Sequence, residues 1–373
     1  MARSVIGVDI GSTAVRGAQV HVSKGRPVIV RAAEIPMPPG AVIAGELREP
    51  AVLQNALKML WKSGKFPRRE VAIGVANQQT LVRQVDLPFE PGEDFKETLP
   101  FKVAQDLPVD AAELTLDYYR LEDYVDAKGR AHRKALLVGA MNSVVENAAA
   151  AVSEARLKPT LIDFSGFSLI RTAVFSHGNP KNVPGAPKPD EDVACEVIVD
   201  MGAQLTIVAV HYNGRPLFVR LASGGGDSVT RAISDHLGLR WEVADALKKS
   251  LGISGIVPTD KASARLIEEV PEAAIGVAQQ IVNMMASSLV QSVRESVEYF
   301  LAASPQVTGI SRFYLSGGAS LLPGYAQRVS AELRAETALL TPLSQFGKGR
   351  KAKRFANLDP KFALAVGLGL GVG

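Results

Sequence analysis

An internal repeat constrains this chain more than any other feature. The first copy reads VIGVDIGSTAVRGAQV followed by KGRPVIV; the second, in the other half of the chain, reads EVIVDMGAQLTIVAVHY followed by NGRPLFV. Each copy has an apolar run, an Asp-x-Gly turn, a second apolar run, a Gly-Arg-Pro turn and a third run. Asp9 corresponds to Asp200 and Gly11 to Gly202, while Gly25-Arg26-Pro27 corresponds to Gly214-Arg215-Pro216 with a two-residue shift. Short apolar runs bounded by Gly and Pro read as strands joined by tight turns. Two such units predict a duplicated α/β domain, each half opening with a three-stranded meander, with the two Asp-x-Gly turns facing each other.

The rest of the chain alternates helices and strands. Helices are expected over 50–63, 91–107 (broken or kinked at Pro100), 143–155, 227–250, 271–303 and 322–335. Strands are expected at 71–76, 82–88, 114–121, 134–141 and 313–316, with 114–121 and 134–141 joined by a turn at Ala127-Lys128-Gly129. Residues 77–157 thus read as a β-α-β-β-α unit inserted into the first half. The stretch 178–192, GNPKNVPGAPKPDED, reads as a linker. The expected division is 1–76 and 158–180 for the first domain, 77–157 for the insertion and 193–345 for the second domain. The glycine-rich segment 359–373 is expected to be a helix that returns to the first domain.

Composition excludes several classes. The chain has 373 residues, 47% hydrophobic and 21% charged, which is the profile of a packed globular protein. A net charge of +4 and 6% aromatic residues give no nucleic-acid footprint. One basic cluster, Lys348, Arg350, Lys351, Lys353 and Arg354, reads as a solvated loop or a contact for an anionic surface. The lone Cys195 permits no internal disulfide and sits in an apolar run, as a buried structural thiol would. No signal peptide is visible, and the segment 273–293 is interrupted by Gln279, Gln280, Asn283 and Gln291, so it reads as a core helix rather than a membrane span.

The motifs that could carry chemistry all suit polyphosphate. Gly11 and Gly202 let backbone N–H groups approach an anion closely, and Ser12 and Thr13 add hydroxyl donors. Asp9 and Asp200 would repel phosphate directly, so their role is to hold Mg²⁺ or its water shell. Either turn alone could be an ordinary hairpin; the pair, in this order, points to a clamp. Ser223-Gly224-Gly225-Gly226-Asp227 opens a helix, a second place where phosphate can rest. Gly317 and Gly318, between a strand and a helix, give a nucleoside a flat backbone surface. Glu242, Asp245 and Lys248 share one helix face; a carboxylate there can hold ribose hydroxyls while the Lys248 stem packs on a base.

This ordered set, Asp-x-Gly-Ser, Asp-x-Gly, Gly-Gly-Asp, Glu-x-x-x-x-x-Lys and Ser-Gly-Gly, resembles the actin-like ATPases. Within them VRQVDLP, DLPVDAAELTLDY, EVADALKKSLG, ESVEYF, YLSGGASLLPG and DPKFALAVGLGLG resemble the PilM family of type IV pilus assembly proteins across nearly the whole chain. Arg16, where the family commonly has Lys, and Asp245, where a Glu is usual, are departures. The resemblance implies an actin-like α/β fold: two ribonuclease H-like domains with the inserted subdomain, and ATP with Mg²⁺ in the cleft between them. It implies a cytoplasmic scaffold, reaching the inner membrane only through partners. Those partners would be the N-terminal tail of a PilN-like single-pass protein, in a groove between the first domain and the insertion, and other platform or motor proteins. No glutamine or base to position an attacking water stands out, so at most slow ATP hydrolysis is expected. A filament-forming protein like FtsA and a small-molecule kinase of the same superfamily remain the alternative readings.

Overall fold

The computed structural model describes residues 3–177, 193–253, 255, 260–268, 270–346 and 352–371. The expected linker at 178–192 and, of the basic cluster, Lys348, Arg350 and Lys351 lie outside them. The chain opens with the meander β1 (Arg3–Ile10), β2 (Ala14–Ser23) and β3 (Arg26–Pro36), then the short hairpin β4 (Val42–Ile43) and β5 (Glu46–Leu47). Helix α1 (Pro50–Gly64) starts with Pro at its first turn, where the missing N–H costs nothing. It buries Leu53, Leu57 and Leu60 under the sheet, each worth about 1.5–3 kcal/mol. Strand β6 (Glu70–Val75) then runs parallel to β1.

The insertion follows: β7 (Leu81–Pro88), α2 (Phe95–Val103), β8 (Leu114–Val125), β9 (Ala131–Met141) and α3 (Asn142–Glu154). Its sheet has the order β7-β9-β8, with α2 on one face. The helix expected over 91–107 is shorter, and Pro100 lies inside it rather than ending it. Asp94 accepts hydrogen bonds from the Lys96 and Glu97 amides and so fixes the start at Phe95. Burial of Phe95, Leu99 and Val103 then holds the helix through the single bond that Pro100 cannot donate. The other face of this sheet, with Leu136 and Val138, packs on the second half. Helix α3 departs from the insertion: Ala151 and Val152 join Leu53 and Leu57 in the first-half core. Strand β10 (Lys158–Phe164) and helix α4 (Ser165–His177) complete the first half.

The second half repeats the plan with β11 (Val193–Met201), β12 (Leu205–Tyr212), β13 (Arg215–Ser223), α5 (Gly226–Leu237), α6 (Trp241–Leu251), α7 (Lys261–Ile267), α8 (Glu272–Ala302), β14 (Val307–Ser316), α9 (Tyr325–Leu333) and β15 (Glu336–Leu339). The two large sheets run β10-β6-β1-β2-β3 and β15-β14-β11-β12-β13. In each, an antiparallel meander continues into two strands parallel to its first strand. The two meander turns also match: Lys24-Gly25 and Asn213-Gly214 all have φ between 49° and 87°, the type I′ geometry whose twist suits a hairpin.

Helix α8 has 31 residues, and a stretch of 18 within it reaches mean hydropathy 1.3, long and apolar enough to cross a bilayer, which the sequence pattern alone did not grant it. Its Ala286, Val290, Val293 and Phe300 pack on the second sheet, the behaviour of a core helix. The last helix, α10 (Ala363–Leu370), is apolar all round and buried, as such helices must be. Its glycines are close-approach residues. A Cβ on Gly367 would lie 1.9 Å from the Ser168 carbonyl oxygen of α4, and one on Gly7 of β1 would lie 2.0 Å from the Ala365 carbonyl.

Candidate functional site

The two Asp-x-Gly turns lie on opposite walls of one cleft of about 650 Å³ between the halves. They are built alike: the Gly11 amide donates to the Ala14 carbonyl at 3.1 Å, and the Gly202 amide to the Leu205 carbonyl at 2.9 Å. Asp9, Gly11, Ser12 and Thr13 line one wall; Asp200, Gly202, Gly226, Gly317 and Gly318 line the other. Asp245 and Lys248 of α6 reach the same cleft. Of the predicted site residues, Gly225 is the one that stands behind the wall. A Cβ there would meet the Gly202 carbonyl oxygen at 2.3 Å.

The glycine run at 223–227 serves a different purpose from the one its composition suggests. The Gly226 and Asp227 amides donate to the Gly202 and Ala203 carbonyls at 3.0 and 2.8 Å. The N-terminus of α5 is thus tied to the second turn and holds it in shape, so these two amides are not offered to an anion. Gly317 has the same function from the other side. Its φ is 81°, and a Cβ would fall 2.2 Å from the Met201 carbonyl oxygen. Gly318 faces open space.

The two halves differ in how they hold their carboxylates. Asp9, Arg16 and Glu34 form a cross-strand row on β1, β2 and β3. Arg16 Nη1 lies 3.5 Å from Asp9 Oδ2, and Nη2 lies 3.1 Å from Glu34 Oε1. Burial pushes the Asp9 carboxyl up against the pull of Arg16, with Glu34 adding to the rise. For Glu34, burial is outweighed by Arg16 and Lys361, and its carboxyl is held low. Asp200 has no cation of its own in its strand row; Ile207 stands beside it on β12 and Ser316 on β14. Burial pushes its carboxyl to about 6, helped by the charge of Asp9 and opposed by the Ser316 hydroxyl.

Lys248 Nζ bonds Asp245 Oδ1 at 2.8 Å, Thr230 Oγ1 at 2.6 Å and the Gly226 carbonyl at 3.1 Å. Burial raises the Asp245 carboxyl, but Lys248 and Lys249 outweigh it and keep it low. Glu242 is solvent-exposed. Several cleft residues escaped sequence reasoning, among them Glu34, Lys361, Trp241 and Gln204. Trp241 heads α6 and shares the face of Asp245 and Lys248; its helical spacing was the available signal. Gln204 spans the halves, accepting from the Ala44 amide at 2.9 Å and donating to Asp227 at 2.9 Å. Nothing local in the sequence marks that contact.

The comparisons with known proteins fit this geometry. The family model of type IV pilus assembly protein PilM matches residues 7–372. The chain belongs to the PilM family. Its fold matches a chain of the PilM–PilN type IV pilus biogenesis complex with TM-score 0.75, at 22% identity, over 98% of this chain and 97% of that one. It also matches MreB 5 of Spiroplasma citri bound to AMPPNP, with TM-score 0.51 at 10% identity, over 98% of this chain and 94% of that one. Among curated proteins it is similar to the cell division protein FtsA of Bacillus subtilis, 25% identical over 183 residues, which is 48% of this chain. The matched region covers 39% of FtsA's length. These likenesses place the PilM-family chain in the actin-like fold, and the repeated sheets and facing turns are its two halves.

A buried carboxylate, Asp200, and a partly buried one, Asp9, beside backbone turns are a donor set that suits Mg²⁺, which takes one or two carboxylates and completes its shell with phosphate and water. Burial, with the charge of Asp9 adding to it, raises the Asp200 carboxyl, and a bound cation would offset both effects.

Proposed function

We propose that this protein is an ATP-binding scaffold of type IV pilus assembly, held at the cytoplasmic side of the inner membrane through the tail of a PilN-like partner. The observation that carries the nucleotide part is the pair of equivalent turns, Asp9–Thr13 and Asp200–Gly202, facing across one cleft. In this reading the Gly11 and Gly202 turns and the Ser12 and Thr13 hydroxyls hold the phosphates. Arg16 contacts the phosphate end, and Asp9 and Asp200 hold Mg²⁺, which when bound screens the carboxylates from the phosphates. Lys248 and Asp245 take the ribose side, and Gly317-Gly318 the base. A ligand that touches both walls favours the arrangement in which they are close, by its differential affinity for that state.

The same cleft argues for slow turnover. Gln204 is the one glutamine among the lining residues, and both ends of its amide are engaged by Ala44 and Asp227. It is not free to orient an attacking water. Family membership and the fold match to a PilM–PilN chain support the partner reading. The test is binding of a labelled peptide copied from the cytoplasmic tail of the organism's PilN-like protein, followed by fluorescence anisotropy with and without Mg-ATP. Binding that responds to nucleotide is the expected result. A folded sample that binds no tail peptide in either state would sink the partner reading.

A further inference from the structure

Arg16 does not stand alone at the phosphate end of the cleft. Its Nη2 is held by Glu34 Oε1 at 3.1 Å, and the second oxygen of Glu34 is held by Lys361 Nζ at 2.7 Å. Lys361 sits in the short turn Pro360–Phe362, just before α10, and it also lines the cleft. Asp359 caps that turn by accepting from the Lys361 amide at 3.0 Å. The Pro360 carbonyl in turn accepts the Ser316 hydroxyl at 3.0 Å, and Ser316 is the β14 neighbour of Asp200. A line of polar contacts therefore runs from Asp9 through Arg16 and Glu34 to Lys361 in the C-terminal turn, and the same turn accepts the hydroxyl of Ser316, whose backbone pairs with Asp200 on β11. Arg16, Glu34 and Lys361 all line the cleft, so this line forms part of its wall.

The placement decides what this line can do. Glu34 lies near the end of edge strand β3, so its position is set by Arg16 on one side and Lys361 on the other. Arg16 Nε is buried without a hydrogen-bond partner, so two carboxylates alone fix the guanidinium, and its donor capacity is not exhausted. Once Asp9 is turned to a cation, Glu34 is the remaining anchor that keeps Arg16 aimed into the cleft. The turn carrying Lys361 is anchored by the burial of Pro360 and Phe362 and by α10, which is wedged against β1 and α4.

We propose that Glu34 and Lys361 are positioning residues for the phosphate end of the nucleotide. They act by holding the Arg16 guanidinium in place, and they make the C-terminal turn part of the nucleotide site. The proposal rests on the nucleotide reading above. A merely structural ion pair at this half-exposed position would contribute little and would not distinguish one nucleotide from another.

The test is calorimetric binding of ATP, ADP and AMP, with Mg²⁺, to the full chain and to Lys361→Met, Glu34→Gln and the double variant. Loss of a charge-assisted contact predicts ATP affinity about tenfold weaker in each single variant, with AMP affinity nearly unchanged. The double variant should be no weaker than the singles, since both act through Arg16, and Lys361→Arg should restore binding. Unaltered AMP binding shows that each variant is folded. Equal losses for all three nucleotides, additive losses in the double variant, or unchanged ATP affinity would overturn the proposal. A wild-type chain that fails to bind ATP would sink the nucleotide reading first. A wild type that binds ATP, with variants that bind it equally well, sinks this inference alone.

Discussion

Replacing Asp200 by Asn separates the stability of the empty cleft from its capacity to bind. Asp200 is 6% exposed, and its carboxyl is moved from 3.8 to about 6, by burial first and by the charge of Asp9 second. Between those values the folded chain holds the proton more tightly than the unfolded chain, so stability falls as pH rises through the window. Above it the ionised carboxylate costs the folded state about 3 kcal/mol. Asn keeps the size and removes the charge. At about pH 8 the nucleotide-free variant should therefore be more stable by up to about 3 kcal/mol, or about 6–12 °C in melting temperature at 2–4 °C per kcal/mol. At about pH 4.5 the folded carboxyl is already neutral, and the gain should shrink to about 1 kcal/mol. Mg-ATP should then reverse the order, raising the melting temperature of the wild type more than that of the variant, because a ligand stabilises only in proportion to its affinity for the folded state. The assay is a thermal melt at both pH values with and without Mg-ATP. A variant that melts no higher than wild type at about pH 8, or gains equally at both pH values, would refute the burial argument.

Two further outcomes follow from the packing. Gly367→Ala should destabilise by about 1–2 kcal/mol or more, because overpacking against the Ser168 carbonyl outweighs the helical gain from Ala. Gly276→Ala, on α8 with open space around it, should stabilise by about 0.5–1 kcal/mol; chemical denaturation of the two variants checks the opposite signs. Trp241 is one of two tryptophans, and the other, Trp61, is hydrogen-bonded to the Arg68 carbonyl and does not line the cleft. In a Trp61→Phe background the remaining emission should change saturably with Mg-ATP, and a flat titration would remove Trp241 from the nucleotide wall.

The repeat made the architecture legible because both copies obey the same local physics: apolar strands, a type I′ hairpin and a tight Asp-x-Gly turn. The expected actin-like α/β fold survives because it is a consequence of those runs, whereas the helix expected over 227–250 is divided into α5 and α6, with Gly238 in a left-handed turn between them. What the sequence could not show were the contacts between elements distant in the chain. The glycines of α10 read as a weak helix in isolation, and their purpose emerges only when β1 and α4 approach within contact distance. Likewise the glycines at 224–226 look like a phosphate rest, yet the amides of Gly226 and Asp227 are spent on the carbonyls of the second turn.

The row that holds Arg16 shows why such contacts escape a pattern argument. Counting outward from the Lys24-Gly25 hairpin turn, the pairs Ser23–Arg26 and Val20–Ile29 place Ala33 opposite Arg16. A bulge between Gln19 and Val20 inserts one extra residue into β3 and shifts the pairing, so that Glu34 takes that place instead. A slip of one residue exchanges the faces of a strand. Without the bulge, Arg16 would face an alanine, Glu34 would point to the opposite side of the sheet, and Lys361 would have no carboxylate to hold. The second copy has its own bulge between Val210 and His211, but there the residues beside Asp200 are Ile207 and Leu221, and no ion pair results. The duplication therefore supplied two similar turns. Both third strands carry an extra residue, but only in the first half does the resulting register bring a cation and a carboxylate, Arg16 and Glu34, beside the turn aspartate, and Glu34 then meets Lys361 near the end of the chain.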